Sequence, residues 1–371
     1  MKILLLITGL GIGGAEKVVC ALADALIMKG YEVMLVYITG PALTLPSNPA
    51  VKVENLGMVS KFGVIAAFAK LRRLIRIFRP DVVHSHMIHA NVLARLVRLI
   101  TSIPLLVSTA HNSYEGGRLR TLAYRWTDSL PDISTNVSVE AVNSFLKIRA
   151  TAPGRMIPIH NGISTSDFSY CDIGRRRVRE SLGVKDNCEL ILAVGRLHEA
   201  KDYPNLFQAL SRLRSKGLSF VLCIAGDGPL RGAFQMLISD LNLSEHIRFL
   251  GIRYDVADLM SAADVFVLSS AWEGFGLVVA EAMACERVVV ATDCGGVREV
   301  LGEAGFLVPP RNPVALADAL ATALQLPFEE RTAVGVAARK RVMERYSLNI
   351  SAQNWTRIYG GVFDFSYARG K

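Results

Sequence analysis

The chain lacks an apolar run long enough to cross a bilayer: nothing in it approaches the roughly 18 residues that a spanning helix needs. It has no low-complexity or Pro/Ser-rich segment, which argues against disorder, and no internal repeat. Cys-x-x-Cys spacing is absent, and no cysteine is paired with a histidine as in a zinc site. Cys20, Cys171, Cys188, Cys223, Cys285 and Cys294 therefore read as small apolar residues of a protein in a reducing cytosol. Asp-x-Asp is absent too, so no paired carboxylates at that spacing offer themselves to a divalent cation. The opening Met1-Lys2 and its apolar run lack an A-x-A-like cleavage site, and the run reads as a first buried strand rather than a signal peptide.

What is present is a soluble composition on a large scale. With 371 residues, 51% hydrophobic and 20% charged, the chain suits two α/β domains. Short β-rich runs alternate with helical stretches throughout, the pattern of parallel sheets with crossover helices. Strands are expected near 3–8, 32–38, 51–56, 81–85, 104–109, 132–136 and 156–160, and helices near 15–29, 61–79, 88–100, 118–128 and 138–148. The second half repeats the scheme, with strands near 189–195, 218–225, 247–250, 264–268, 288–292 and 305–308. Its helices are expected near 203–216, 229–241, 255–262, 276–285, 296–301, 313–324 and 329–346. This gives an N-terminal domain over 1–165, a polar linker from Ser164 to Asp172, and a C-terminal domain over 173–349. The tail, 350–371, carries Trp355, Tyr359, Phe363 and Phe365, too many aromatics for a free end, and is expected to dock back on the first domain.

The net charge of +9 is unevenly placed. Residues 1–165 hold 18 Lys and Arg against 9 Asp and Glu, while the remainder balances at 24 and 24. An anionic surface, membrane or nucleic acid, is thus the partner to look for on the first half. Lys61 to Arg79 contains no acid. As one helix it gathers Lys61, Arg72, Arg73, Arg76 and Arg79 within an arc of about 120°, beside an apolar arc of Val64, Phe68, Leu71, Ile75 and Phe78. Arg95, Arg98, Arg118, Arg120 and Arg125 would widen the patch if they share that side.

Doubly wound domains bind ligands beyond the carboxyl ends of their strands, so the chemistry is expected in a cleft between the two. The first strand–helix junction, Thr8-Gly9-Leu10-Gly11-Ile12-Gly13-Gly14-Ala15-Glu16, allows close backbone approach to a bound anion at a helix start. It looks superficially like a dinucleotide fingerprint, but the second strand brings no acid for a ribose. The strongest signal is Trp272-Glu273-Gly274-Phe275-Gly276-Leu277, running into an Ala-rich helix that contains Glu281. A helix start flanked by glycines suits a diphosphate, and carboxylates beside it can accept hydrogen bonds from sugar hydroxyls.

Glu273 and Glu281, with seven residues between them, resemble the paired glutamates of glycosyltransferase family 4, whose fold is two Rossmann-like doubly wound domains facing each other (GT-B). The resemblance runs over nearly the whole chain. Gly13-Gly14-Ala15-Glu16 looks like the donor-phosphate loop, and Gly195-Arg196-Leu197 followed by Glu199-Ala200-Lys201-Asp202 is similar to the basic phosphate clamp. Gly226-Asp227-Gly228-Pro229 and Phe249-Leu250-Gly251, with Arg253 and Asp255 just beyond, resemble the nucleotide-holding loops. The usual Pro-Asn-Gly-hydrophobic-Asp of the domain junction appears as His160-Asn161-Gly162-Ile163-Ser164, without the proline and the acid.

The resemblance implies Glu281 as the ribose ligand, Glu273 as the holder of donor-sugar hydroxyls, and Arg196 and Lys201 as the cations that neutralise the diphosphate. It implies a contact from His111, at the end of the strand PLLVS, to the donor sugar or leaving phosphate. Gly13, Gly14, Gly226, Gly251, Arg253, Gly274, Phe275, Gly276 and Leu277 complete the implied donor site, and no metal is implied. His84, His86 and His89 are read as acceptor-site residues at another strand end. The implied reaction is retaining transfer of a hexosyl or N-acetylhexosaminyl unit, most simply from a UDP-sugar, to a saccharide or polyprenyl-diphosphate-linked acceptor. The acid-free basic segment from Lys61 to Arg79, rather than the resemblance, sets the expected place of action at the cytoplasmic face of a membrane. Two other readings stay open at this point: a nucleotide-sugar epimerase on the same fold, and a basic nucleic-acid-binding protein. Against the latter, the basic residues carry no interleaved aromatics and no binding motif.

Overall fold

The structure, a computed structural model, describes residues 1–185 and 187–361, with the side chain of Lys61 also outside the description. Contacts divide the chain into two compact units, Met1–Gly162 joined by the segment from Leu348, and Ile163–Ser347.

In the first unit the strands are β1 (Lys2–Ile7), β2 (Glu32–Tyr37), β3 (Lys52–Asn55), β4 (Val82–His86), β5 (Leu105–Ala110), β6 (Ile133–Asn136) and β7 (Met156–Pro158). All pair in parallel, in the order β3-β2-β1-β4-β5-β6-β7. The continuous apolar run of β1 is buried from Ile3 to Ile7 because helices cover both faces of a parallel sheet. These crossovers are α1 (Gly14–Met28), α2 (Val64–Phe78), α3 (Ile88–Arg98), α4 (Arg118–Trp126) and α5 (Val139–Lys147). The order reverses between β1 and β4, so the loops after those strands leave a crevice at their carboxyl ends.

The second unit repeats the plan with β8 (Glu189–Val194), β9 (Phe220–Ala225), β10 (Ile247–Gly251), β11 (Val265–Leu268), β12 (Val288–Thr292) and β13 (Phe306–Val308). Their order is β10-β9-β8-β11-β12-β13, again all parallel, with the switch point between β8 and β11. Its helices are α6 (Asp172–Ser181), α7 (Tyr203–Ser215), α8 (Arg231–Asp240), α9 (Val256–Ala262), α10 (Leu277–Ala284), α11 (Val297–Leu301), α12 (Pro313–Gln325) and α13 (Phe328–Arg345).

Residues 164–172, expected as a linker, are bonded to the second unit. Arg339 Nη1 donates to the Phe168 carbonyl at 3.1 Å and its Nη2 to that of Thr165 at 3.3 Å. The Arg175-Arg176-Arg177 run lies inside α6, where Arg175 and Arg179 both grip Asp264, at 2.6 and 3.0 Å. The tail forms α14 (Leu348–Tyr359), which packs beside α1 and buries Trp355, Ile358 and Tyr359 in the first unit's core. Phe363 and Phe365 lie outside the described residues.

The basic helix is shorter than expected. Lys61–Gly63 is a single 3-10 turn, and Val64 opens α2 at 45% exposure rather than joining the buried side, because the helix has only begun there. Leu71, Ile75 and Phe78 are buried as the arc predicts. Arg95 corrects the expectation of a wider patch: it is fully buried. Its guanidinium donates to Thr127 Oγ1 (3.1 Å) and Ser134 Oγ (3.2 Å) and lies over the Tyr124 ring, so that the interior charge is met by hydroxyls and a π face. Arg98 is tied to Asp132.

Candidate active site

In the second unit, the loops leaving β8 and β11 on either side of the switch point are laced together. The Ala271 N–H donates to the Ala200 carbonyl at 2.8 Å, and Ser269 Oγ donates to the Lys201 carbonyl at 2.7 Å. This lacing brings two predicted residues, 72 positions apart in sequence, into contact: Lys201 Nζ lies 2.5 Å from Glu273 Oε1. Ser270 Oγ donates to the same oxygen at 2.7 Å. Both charged side chains are mostly covered, which lowers the local dielectric and strengthens a charge-assisted hydrogen bond. The pair presents a cation and a carboxylate, side by side, at the place where a doubly wound sheet binds its ligand.

Backbone proximity explains the glycines around it. At Gly226, with φ +140°, a Cβ would stand 2.1 Å from the Gly195 carbonyl oxygen, so only glycine lets the β8 and β9 loops touch. The Gly226 N–H also donates to Gly251 O at 2.7 Å, joining the ends of β9 and β10. Gly276, at φ +87°, turns the chain into α10. Leu277 starts that helix, and Glu281 is buried on it. Phe275 points inward and packs edge-on against Tyr346, leaving Gly274 and Gly276 as the small members of the loop. Arg196 is exposed at the end of β8. Arg253 forks onto Asp255, with Nε to Oδ1 at 2.7 Å, and this pairing holds the Asp255 carboxyl below the usual carboxylate range.

Sequence reasoning missed the residues that support Glu273 from behind. Thr292 Oγ1 donates to the Ser270 carbonyl at 2.6 Å, and the Gly296 N–H donates to the Gly274 carbonyl at 3.1 Å. A Cβ at Gly295 would fall 2.0 Å from the Glu273 carbonyl oxygen. The signal was available: Asp293-Cys294-Gly295-Gly296 follows a predicted strand directly.

In the first unit, Gly13 and Gly14 stand at the start of α1, as predicted. Glu16 folds back over them, close enough that a Cβ on Gly13 would lie 2.4 Å from Glu16 Oε2. A carboxylate is at home at a helix N-terminus, so an anion bound there would meet Glu16 first.

His111, just after β5, lies 3.1 Å from His86 through Nε2 and Nδ1. His84 is fully interior. Its Nδ1 is 2.6 Å from Tyr359 Oη and its Nε2 2.6 Å from Thr109 Oγ1, so it ties β4 to β5 and α14 and is no acceptor contact. His89 sits apart on the exposed side of α3. Burial pushes all three interior histidines toward the neutral form, His111 down to about 4. The loop carrying His111 is fixed by Glu115, which accepts from the His111 N–H at 3.1 Å and from Tyr124 Oη at 2.7 Å. Among the described residues no group of three or more His, Cys, Asp or Glu is placed to hold a metal.

Residues 174–341 match the glycosyl transferases group 1 family, and residues 12–167 match glycosyltransferase family 4. The putative glycosyltransferase EpsD of Bacillus subtilis is 29% identical over 318 residues, covering 81% of both chains. The N-acetylgalactosamine-N,N'-diacetylbacillosaminyl-diphospho-undecaprenol 4-alpha-N-acetylgalactosaminyltransferase of Campylobacter jejuni is 28% identical over 348 residues, covering 87% of this chain and 90% of that one. The crystal structure of Anabaena HepE in complex with UDP shares the fold, with a TM-score of 0.85 at 22% identity over 97% of this chain and 100% of that one.

Two parallel doubly wound sheets carrying these two family signatures define a glycosyltransferase of the GT-B class. The chain belongs to glycosyltransferase family 4, with the group 1 signature on its second unit.

Proposed function

We propose that this enzyme transfers a hexosyl or N-acetylhexosaminyl unit from a UDP-sugar, with retention at the anomeric carbon, to a saccharide or lipid-linked saccharide used in cell-surface polysaccharide or lipopolysaccharide assembly. The observation that carries the reading is the Lys201–Glu273 pair at the β8/β11 switch point. A departing nucleoside diphosphate gains negative charge, and a fixed ammonium stabilises that charge at no cost of reorganisation. Lys201 and Arg196 take this role. Glu273, held by Lys201 and Ser270, accepts hydrogen bonds from donor-sugar hydroxyls, and Glu281 accepts from the ribose. The glycine-flanked start of α10 receives the diphosphate. His111 contacts the transferred sugar or the leaving phosphate. No side chain is assigned as a nucleophile. The leaving phosphate takes the acceptor proton as the new bond forms on the face it leaves, and no metal takes part. A relative that acts on a diphospho-undecaprenol-linked saccharide and a structural neighbour bound to UDP support this choice of donor and acceptor class.

Thermal stabilisation by UDP, ADP and GDP tests the donor. UDP at a hundred times its Kd adds about 2.7 kcal/mol to a site that exists only in the folded state. Stabilisation by GDP or ADP alone would replace the uridine donor.

We also propose that the first unit attaches the enzyme to the cytoplasmic face of an anionic membrane. No described helix is long and apolar enough to cross one. The exposed side of α2 and its lead-in interleaves Arg73 and Arg76 with Phe62, Ile65 and Ile77, which are 95, 81 and 68% exposed. Cations for headgroups and apolar side chains for the acyl boundary on one helix face are what an interfacial helix presents.

A further inference from the structure

His86, expected at the acceptor site, is 98% removed from solvent and lies against His111, and the proposed reaction gives it no role. The geometry points to His86 as a positioning residue that fixes the tautomer of His111, making His111 a hydrogen-bond donor through Nδ1–H rather than a base. The inference rests on the reading of His111 as a contact to the transferred sugar or leaving phosphate.

Burial keeps both rings neutral, so the 3.1 Å contact between His86 Nδ1 and His111 Nε2 holds one proton, and two arrangements are open. If His111 donates, the proton of His86 must sit on its Nε2. That atom is buried and has no hydrogen-bond partner among the described residues, so an N–H there would find no acceptor in the protein. If His86 donates from Nδ1, its Nε2 carries only a lone pair. An orphaned buried N–H is rarer than an under-satisfied acceptor, and this second arrangement wins. His111 Nε2 then accepts, and its proton is forced onto Nδ1.

The neighbours favour the same outcome. The His84 ring, with its centroid 3.9 Å from that of His86, has both nitrogens engaged by Tyr359 and Thr109 and offers His86 no acceptor. The His111 backbone is held by Glu115, which fixes the point from which the ring projects toward His86. The chemistry agrees with the proposed reaction. When the leaving phosphate takes the acceptor proton, no base is needed from the protein, and a neutral N–H aimed at a sugar hydroxyl or a phosphate oxygen stabilises charge as it develops.

Long-range ¹H–¹⁵N NMR of histidine-labelled enzyme at neutral pH reads the tautomer directly, with His111 assigned by the signal lost in His111→Ala. The expected spectrum shows Nδ1 protonated and Nε2 unprotonated for His111. Protonation on Nε2 in the wild type overturns the inference whatever the activity. Asn places its amide nitrogen near Nδ1 of histidine, so His86→Asn keeps the donor and should retain the Nδ1–H spectrum and kcat within about threefold. His86→Leu should give a tautomer mixture and lower kcat roughly tenfold with KM nearly unchanged, as for loss of one oriented hydrogen bond. Equal spectra in the Asn and Leu variants would also overturn it. Full UDP-sugar turnover by His111→Ala, beside an unchanged wild-type tautomer, would instead remove the catalytic reading of His111 and leave the His86 assignment standing.

Discussion

Lys201 and Glu273 share a 2.5 Å contact across the switch point of the second sheet, and Ser270 shares the same carboxylate oxygen. Each charge therefore depends on the other for its position. On the proposed roles, Lys201→Ala removes a diphosphate cation, and it also releases Glu273. Its kcat/KM should fall by 2–4 kcal/mol of transition-state stabilisation, about 30- to 1000-fold, the range for losing one preorganised electrostatic group. Arg196→Ala should fall in the same range without affecting Glu273. In steady-state kinetics, near-normal kcat/KM for both variants would place the clamp elsewhere.

The roles proposed for Glu281 and Glu273 separate binding from turnover. A ribose contact is present before and during reaction, whereas a contact near the anomeric carbon tightens as charge develops. Glu281→Ala is expected to weaken UDP binding by calorimetry, and Glu273→Ala to lower kcat with a smaller effect on UDP affinity. Unchanged UDP affinity in Glu281→Ala would sink the ribose assignment.

The interior histidines make stability depend on pH. Their folded-state basicity is lowered by burial, His111 from 6.5 to about 4, so below 6.5 the unfolded chain takes up protons that the native fold refuses. Stability present above pH 6.5 is lost as pH falls toward 4, with His111 alone contributing a loss of about 2 kcal/mol at pH 5. Denaturant titrations at pH 7.5 and 5 should show the drop, and His111→Gln should reduce it. A pH-independent midpoint would mean these rings are solvated.

Membrane attachment is expected to be reversible and sensitive to salt. Each cation near an anionic surface contributes about 1 kcal/mol and is screened within roughly 8–10 Å at physiological salt. Wild type should co-sediment with phosphatidylglycerol vesicles at low salt, and an Arg72/Arg73/Arg76→Glu variant should not. Equal binding by both, or binding by neither, would remove the membrane.

The sheets were legible in the sequence because buried parallel strands read as unbroken runs such as ILLLI and VVVAT, each followed by a turn. Helix α6 was not, since Arg175 to Arg177 look like a solvated charge run. It is tied down by Asp264, 89 and 85 residues from the Arg175 and Arg179 that grip it, and by the buried Val178. Glu273, Lys201 and Glu281 stood out through their glycine-bounded loops, but that Lys201 touches Glu273 follows only from the adjacency of β8 and β11. His84 looked like a site residue for the opposite reason. Local spacing could not reveal that Tyr359, 275 residues on, completes its hydrogen bonding in the core. Glu16 could be read as a phosphate-loop residue, while its carboxylate lies over the helix start it was expected to leave to a ligand.

The central claim is retaining transfer from a UDP-sugar by the site built on Lys201 and Glu273, and the configuration of the product tests it most directly. UDP-sugars labelled with ¹³C at the anomeric carbon, in the α configuration, are incubated with the enzyme in EDTA and followed by ¹³C NMR before mutarotation. The account predicts UDP release with an α-configured product first formed, abolished in the Lys201→Ala, Glu273→Ala double variant. A β-configured first product, or UDP release that returns only when Mg²⁺ is added, would contradict it.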